Sequence, residues 1–73
     1  MSMKQFEKKI VKLGIEFTKE YGEKGLKLKS DEWVKYIVPN LTKNEKEIFR
    51  HNQFKLLVLF YKTAYTYLKS QNK

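Results

Sequence analysis

The stretch FKLLVLFYKTAYTYLK, Phe54 to Lys69, decides how the chain folds: it is the most apolar segment of a lysine-rich sequence, and its apolar residues do not stay on one side of a helix. At about 100° per residue, Leu56, Phe60, Thr63 and Tyr67 fall on one face together with Phe49 and Gln53 upstream. A second set, Phe54, Leu57, Tyr61, Ala64 and Leu68, lies round one side and widens the apolar arc beyond the roughly 100° stripe of an ordinary surface helix. Lysines interrupt every turn or two, so the segment falls short of the roughly 18 apolar residues of a membrane-spanning helix. It reads as a helix whose inner face enters a core and whose side needs a cover.

Upstream, Met3, Phe6, Ile10, Leu13, Phe17 and Tyr21 follow the three- and four-residue spacings of one helical face, which predicts a first helix over 3–21. Gly14 inside it weakens the helix relative to Ala by about 1 kcal/mol, a sign of close approach to another helix. Gly22 suits the left-handed position that follows a helix end, and the segment GLKLKSDEW opens as a connector. Ser30 is an N-cap candidate, with Asp31 and Glu32 in the first turn of a short helix over 31–38 that carries Trp33, Val34, Ile37 and Val38. Pro39 disfavours helical geometry at Val38 and stops it. Thr42 and Glu45 then form a Thr-x-x-Glu capping box, which opens a second long helix over 43–69. No Gly or Pro occurs in it, although apolar density lapses at Arg50-His51-Asn52-Gln53, where a bend fits.

The expected architecture is therefore all-α: a single 1–73 domain, a bundle of three to four helices in which two long amphipathic helices flank a short one. Residues 70–73 are expected to be disordered. Trp33 and Ile37 of the short helix are placed to cover the wide arc, and if the long helices pack antiparallel their basic faces merge into one surface. Stability has to come from packing or from self-association, because the 73 residues include no Cys and hence no disulfide or Cys-based zinc site. Nothing at the start has the pattern of a secretory signal, so the expected location is the cytoplasm, without a membrane partner.

The inventory disfavours catalysis. One His, one Asp and no Cys leave no Cys–His pair, and no Ser sits in a nucleophile motif. The carboxylate pairs Glu45/Glu47 and Glu16/Glu20 read as solvated helix faces, and His51 has no companions at metal-ligand spacing. No catalytic residue, metal site or cofactor is expected.

Charge is more informative. Sixteen Lys and Arg against eight Asp and Glu give a net charge of +8, and Arg50 is the sole Arg. A lysine-rich, tyrosine- and asparagine-rich composition of this kind also suits an AT-rich genome, as in a phage, a plasmid or another mobile element. Residues 51–73 carry four Lys and no acid. On a continuous helix His51, Lys55, Lys62, Lys69 and Lys73 project within about 40° of one another, a line of cations with Tyr65 beside it. On the first helix Lys4, Lys8, Lys12 and Lys19 share the face opposite Phe6 and Leu13, with Ile15 among them.

These residues are the candidate nucleic-acid-binding set: Lys4, Lys8, Lys12, Lys19, His51, Lys55, Lys62, Tyr65 and Lys69. Lysine acts mainly as a point charge on phosphate, whereas Arg is the usual bidentate reader of guanine, so the expected ligand is duplex DNA held with little sequence preference. The expected function is a non-enzymatic, DNA-binding accessory or regulatory protein. The alternative is a protein-interaction module, an inhibitor or adaptor that uses Phe54, Leu57, Tyr61 and Leu68 against a host protein, or against a second copy in a homodimer.

Overall fold

The computed structural model describes residues 3–71 as an all-helical bundle measuring 37 × 22 × 18 Å. Helix α1 spans Met3–Tyr21, α2 Glu23–Leu26, α3 Ser30–Ile37, α4 Lys43–His51 and α5 Gln53–Gln71, with a 3-10 turn at Val38–Asn40. No strand occurs among the described residues.

Helix α1 has the bounds its periodicity predicts, and its buried face is Phe6, Ile10, Leu13 and Phe17. It ends because Gly22 takes φ 63° and ψ −149°, a region essentially closed to residues with a Cβ, while its N–H still bonds Thr18 O at 2.7 Å. The connector that follows is more structured than expected, since residues 23–26 form one further helical turn, α2. Gly25 there packs so closely on the Phe17 ring that a Cβ at that position would lie 2.5 Å from it. Gly25 O also accepts the Trp33 indole N–H at 3.0 Å, which ties α2 to α3.

The cap of α3 is Lys29 rather than Ser30. Ser30 is the first helical residue and caps nothing with its side chain. The chain leaves the α-helix at Ile37, and Pro39 sits in the first turn of the 3-10 helix, where its missing N–H is not needed. Thr42 makes the capping box expected of it: its Oγ1 accepts the Glu45 N–H at 3.2 Å, and Glu45 Oε1 accepts the Thr42 N–H at 2.8 Å.

The predicted 43–69 helix divides at Asn52, whose φ of −126° and ψ of 26° are non-helical. Its N–H is shared between Ile48 O and Phe49 O, and its side-chain amide donates to Ile48 O at 2.9 Å, so the kink is closed by local hydrogen bonds. Helix α5 then continues to Gln71. Ser70 and Gln71, expected to be disordered, are therefore helical, while residues 72 and 73 lie outside the described residues.

The main correction concerns direction. Glu7 pairs with Lys55, Gly14 abuts Thr63, and Glu23 beyond the end of α1 shares a recess with Lys69, so α1 and α5 run parallel, not antiparallel. The return path is made by α2, α3 and α4. At the closest approach a Cβ on Gly14 would lie 3.1 Å from Thr63 Cγ2 and 3.3 Å from Phe60 O, which explains the glycine. The core between the two helices holds Phe6, Ile10, Phe17, Leu56 and Phe60, joined by Ile37, Leu41 and Phe49. Burying each such side chain contributes roughly 1.5–3 kcal/mol. Gln53, expected on the packing face of α5, is exposed instead, because the kink at Asn52 changes the phase of the two helices.

Candidate functional site

The parallel packing sets the lysine row of α1 beside that of α5. Lys4 and Lys8 line one bank of a shallow groove that also contains Glu7, Val11 and Leu59. Further along, the groove is lined by Val11, Ile15, Lys62, Thr63 and Thr66. Lys55 joins the α5 bank through its contact with Glu7 at 3.5 Å. Lys4, Lys8, Lys55 and Lys62 thus converge on one surface, and Ile15, expected to be exposed among the lysines, is half-buried in its floor.

Other members of the predicted set separate from it. Lys12 lines a neighbouring recess with Lys9, Glu16 and Asn40, and Lys8 borders both. Lys19 is exposed at the far end of α1. Lys69 lies in a recess with Glu23, Leu26, Tyr65 and Leu68, its Nζ 5.7 Å from the Tyr65 ring centroid. His51 belongs to α4, across the kink, and its Nε2 stands 3.9 Å from Glu47 Oε2. The straight line of cations therefore breaks at its upstream end, and Lys73 lies outside the described residues. Arg50 is held by the same Glu47 at 2.9 Å.

The line also has counter-charges that its own segment lacks. Glu7 of α1 faces Lys55, and Glu47 faces His51 from one turn earlier on α4. Among the described residues, Lys4, Lys8, Lys12, Lys19, Lys62 and Lys69 make no ion pair. The remaining acids of α1 point away from the groove: Glu16 and Glu20 act on Tyr36 of α3, whose hydroxyl is pushed above its ordinary value first by burial and then by these two carboxylates. Both α1 and α5 lack an acidic residue in the first turn. Because the helices are parallel, their positive dipole ends lie at the same end of the molecule as Lys4, Lys8 and Lys55.

The carboxylate pair Glu45/Glu47 is not a solvated face. Glu45 is 2% exposed, its Oε1 accepting from Lys9 Nζ at 2.6 Å and from the Thr42 N–H. The Lys9 hydrogen bond first, and the Thr42 bond second, hold its carboxyl below the usual range. Glu47 points outward, so the two carboxylates do not converge. Among the described residues no cluster of three or more His, Cys, Asp or Glu is placed to hold a metal ion.

The wide apolar arc is only partly covered. Trp33 lies 5.4 Å from Tyr61 and 6.2 Å from Phe60, ring to ring, and with α2 it shelters Leu57 and Leu68, which are half-buried. Of the predicted partner-interface residues, Phe54 is 84% exposed and Tyr61 38%. Val58 and Tyr65 continue the exposed strip, with Tyr65 stacked on Tyr61 at 6.4 Å. Val58 and Trp33 were missing from the predicted interface. Val58 lies four residues after Phe54 and three before Tyr61, a spacing visible in the sequence.

Comparison with protein-family models, with curated proteins and with solved structures finds no match to this chain. No helix among the described residues is long and apolar enough to cross a membrane.

Proposed function

We propose that this is a small non-enzymatic nucleic-acid-binding protein that holds the phosphates of duplex DNA, with little sequence preference, on the face where α1 and α5 lie side by side. The observation that carries the reading is the groove itself: Lys4 and Lys8 on one bank and Lys55 and Lys62 on the other, with Glu7 the one acid that lines it among the described residues. Three of those four ammonium groups have no ion-pair partner among the described residues. Lysine ammonium groups bind phosphate as point charges, and each phosphate neutralised releases counterions, so affinity falls steeply with salt. Base reading is weak because the sole Arg is engaged by Glu47.

The test is anisotropy of a labelled mixed-sequence duplex across a salt series. Wild type is expected to give a log–log slope steeper than about −3, and the Lys4→Glu/Lys8→Glu/Lys62→Glu variant to lose at least tenfold in affinity. Lys24→Glu/Lys27→Glu/Lys43→Glu makes the same change in net charge away from the groove and is expected to retain most of the binding. Equal losses in both variants, or none in the first, would remove the groove from consideration. A second reading, a module that binds another protein, is favoured by a separate observation, the 84% exposure of Phe54.

A further inference from the structure

The exposed strip of α5 has an order that neither the core nor the DNA-binding groove uses. Phe54, Val58, Tyr61 and Tyr65 follow one another at spacings of four, three and four residues, the alternation of a coiled-coil seam. They are 84%, 38%, 38% and 48% exposed, so the fold leaves the seam partly open even where Trp33 packs on Tyr61. Assigning Phe54 and Tyr61 to one core position of the heptad and Val58 and Tyr65 to the other places Lys55, Lys62 and Lys69 at the same flanking position of successive heptads. On the other flank stand Leu57 and Ala64, which face the bundle. Beside the seam Ser30, Trp33 and Leu57 shape a recess whose outer wall is Phe54, Val58 and Tyr61.

We infer that this seam docks an acidic amphipathic helix of another protein, apolar side chains seated between Phe54, Val58, Tyr61 and Tyr65 and carboxylates set against Lys55, Lys62 and Lys69. The lysine flank selects the sign of the partner. A second copy of this chain is a poor occupant on the same geometry. Antiparallel pairing of two α5 helices sets the lysine flanks against each other, whereas parallel pairing sets the lysines against Leu57 and Ala64, which offer no charge. Two copies at +8 each also repel. An acidic helix meets neither obstacle, and the opposite net charges speed its encounter. The recess next to Phe54 takes the largest apolar anchor, in the manner of helix-in-groove recognition.

Trp33 is the only Trp and lines that recess, so its fluorescence reports on occupancy. The probe is a synthetic 21-residue helical peptide with Leu and Ile at the seam positions and Glu at the flanking ones, compared with the same peptide carrying Lys in place of Glu. The Glu peptide is expected to shift Trp33 emission, with a Kd below about 100 μM at low salt that weakens as salt is added; the Lys peptide is expected to leave the emission unchanged. Phe54→Ala and Tyr65→Ala, chosen because both side chains are largely outside the core, are expected to weaken binding at least tenfold with unchanged circular dichroism. Lys4→Glu/Lys8→Glu, which reports on the DNA groove, is expected to leave peptide binding within threefold, so the two surfaces stand or fall separately. Equal binding of both peptides, no binding of the Glu peptide, or indifference to Phe54→Ala would overturn the inference. So would a dimer mass by light scattering that Phe54→Ala abolishes, or a Trp33 response to duplex DNA that Phe54→Ala removes.

Discussion

Lys9 and Glu45, 36 residues apart in sequence, make the shortest ion pair among the described residues, and removing it is the sharpest test of the fold. In Glu45→Ala the helix α4 capping box loses half of its hydrogen bonds, and the 2.6 Å contact that ties α4 to α1 disappears. Loss of a capping interaction costs about 1 kcal/mol, and loss of a hydrogen bond to a charged group about 1.5–3 kcal/mol. Lys9, about one-third exposed, turns to water, so no ammonium is left stranded and the sum stays near 3 kcal/mol. For a domain of this size 1 kcal/mol corresponds to roughly 4–8 °C in Tm, which puts the expected fall at about 12–24 °C.

The same contact fixes a pH dependence. The folded carboxyl of Glu45 titrates below its unfolded counterpart, chiefly because Lys9 donates to it. The folded state therefore binds that proton less readily. Its contribution is complete above the unfolded pKa of about 4.3 and drains away as pH falls through the folded value. Glu45→Gln keeps the shape and the acceptor for Thr42 but has no proton to take up. Thermal unfolding followed by circular dichroism between pH 7 and pH 3 is then expected to show a shallower acid decline in Glu45→Gln than in wild type. The comparison cancels the general repulsion of a highly basic chain at low pH. A Glu45→Ala variant within about 4 °C of wild type at pH 7 would refute the reasoning, as would superimposable acid limbs for wild type and Glu45→Gln.

Gly22→Ala is expected to destabilise by about 1–3 kcal/mol through the backbone alone, since φ is 63° and a Cβ there would meet nothing within 4 Å. An unchanged or higher Tm would show that the turn after α1 adapts freely. Glu7→Gln removes the acid from the groove and frees Lys55. Duplex DNA is expected to bind more tightly, with a salt slope steeper by up to about 0.9, at little cost in stability because the 3.5 Å pair is long and its Lys55 end is exposed. Weaker or unaltered binding counts against the groove as the DNA-binding surface.

How far the fold was legible depends on the range of the interaction that fixes each part. The bounds of α1 follow from an uninterrupted three- and four-residue pattern and from Gly22, all local. The start of α4 is equally local, because Thr42 and Glu45 complete each other within one turn. The kink at Asn52 was only half legible. The lapse in apolar density marks the place, but its cause is a side-chain amide bonding back to Ile48 O, which many Asn residues in helices do not do. The short α2 was hidden because its stability comes from Gly25 against Phe17 and from the Trp33 indole on Gly25 O, both tertiary contacts.

The candidate site divides in the same way. The lysine rows are visible as periodicities, but which rows meet depends on the direction of α5 relative to α1, and a connecting region built of three short helical pieces can deliver either direction. Gly14 announced a close approach without naming its partner, Thr63. The counter-charge of Lys55 was invisible because α5 contains no acid and Glu7 reaches it from α1, whereas Glu47 stands four residues before His51 on α4, a spacing visible in the sequence. Charge counted along the sequence therefore overstated the uniformity of the cationic line.

The parallel arrangement leaves two distinct surfaces. With both helix starts at one end, the groove gathers Lys4, Lys8 and Lys55 near two positive dipole ends, while the aromatic strip turns toward α3 and Trp33. Lys55 and Lys62 stand between them, on the groove through the Lys55–Glu7 pair and the recess that Lys62 shares with Val11 and Ile15, and on the seam by their heptad positions. A ligand on either surface reduces the positive field at these two ammonium groups. If both ligands are polyanionic, they compete through Lys55 and Lys62 without sharing a binding pocket, and Lys62→Gln weakens both while Lys4→Gln and Phe54→Ala each weaken only one.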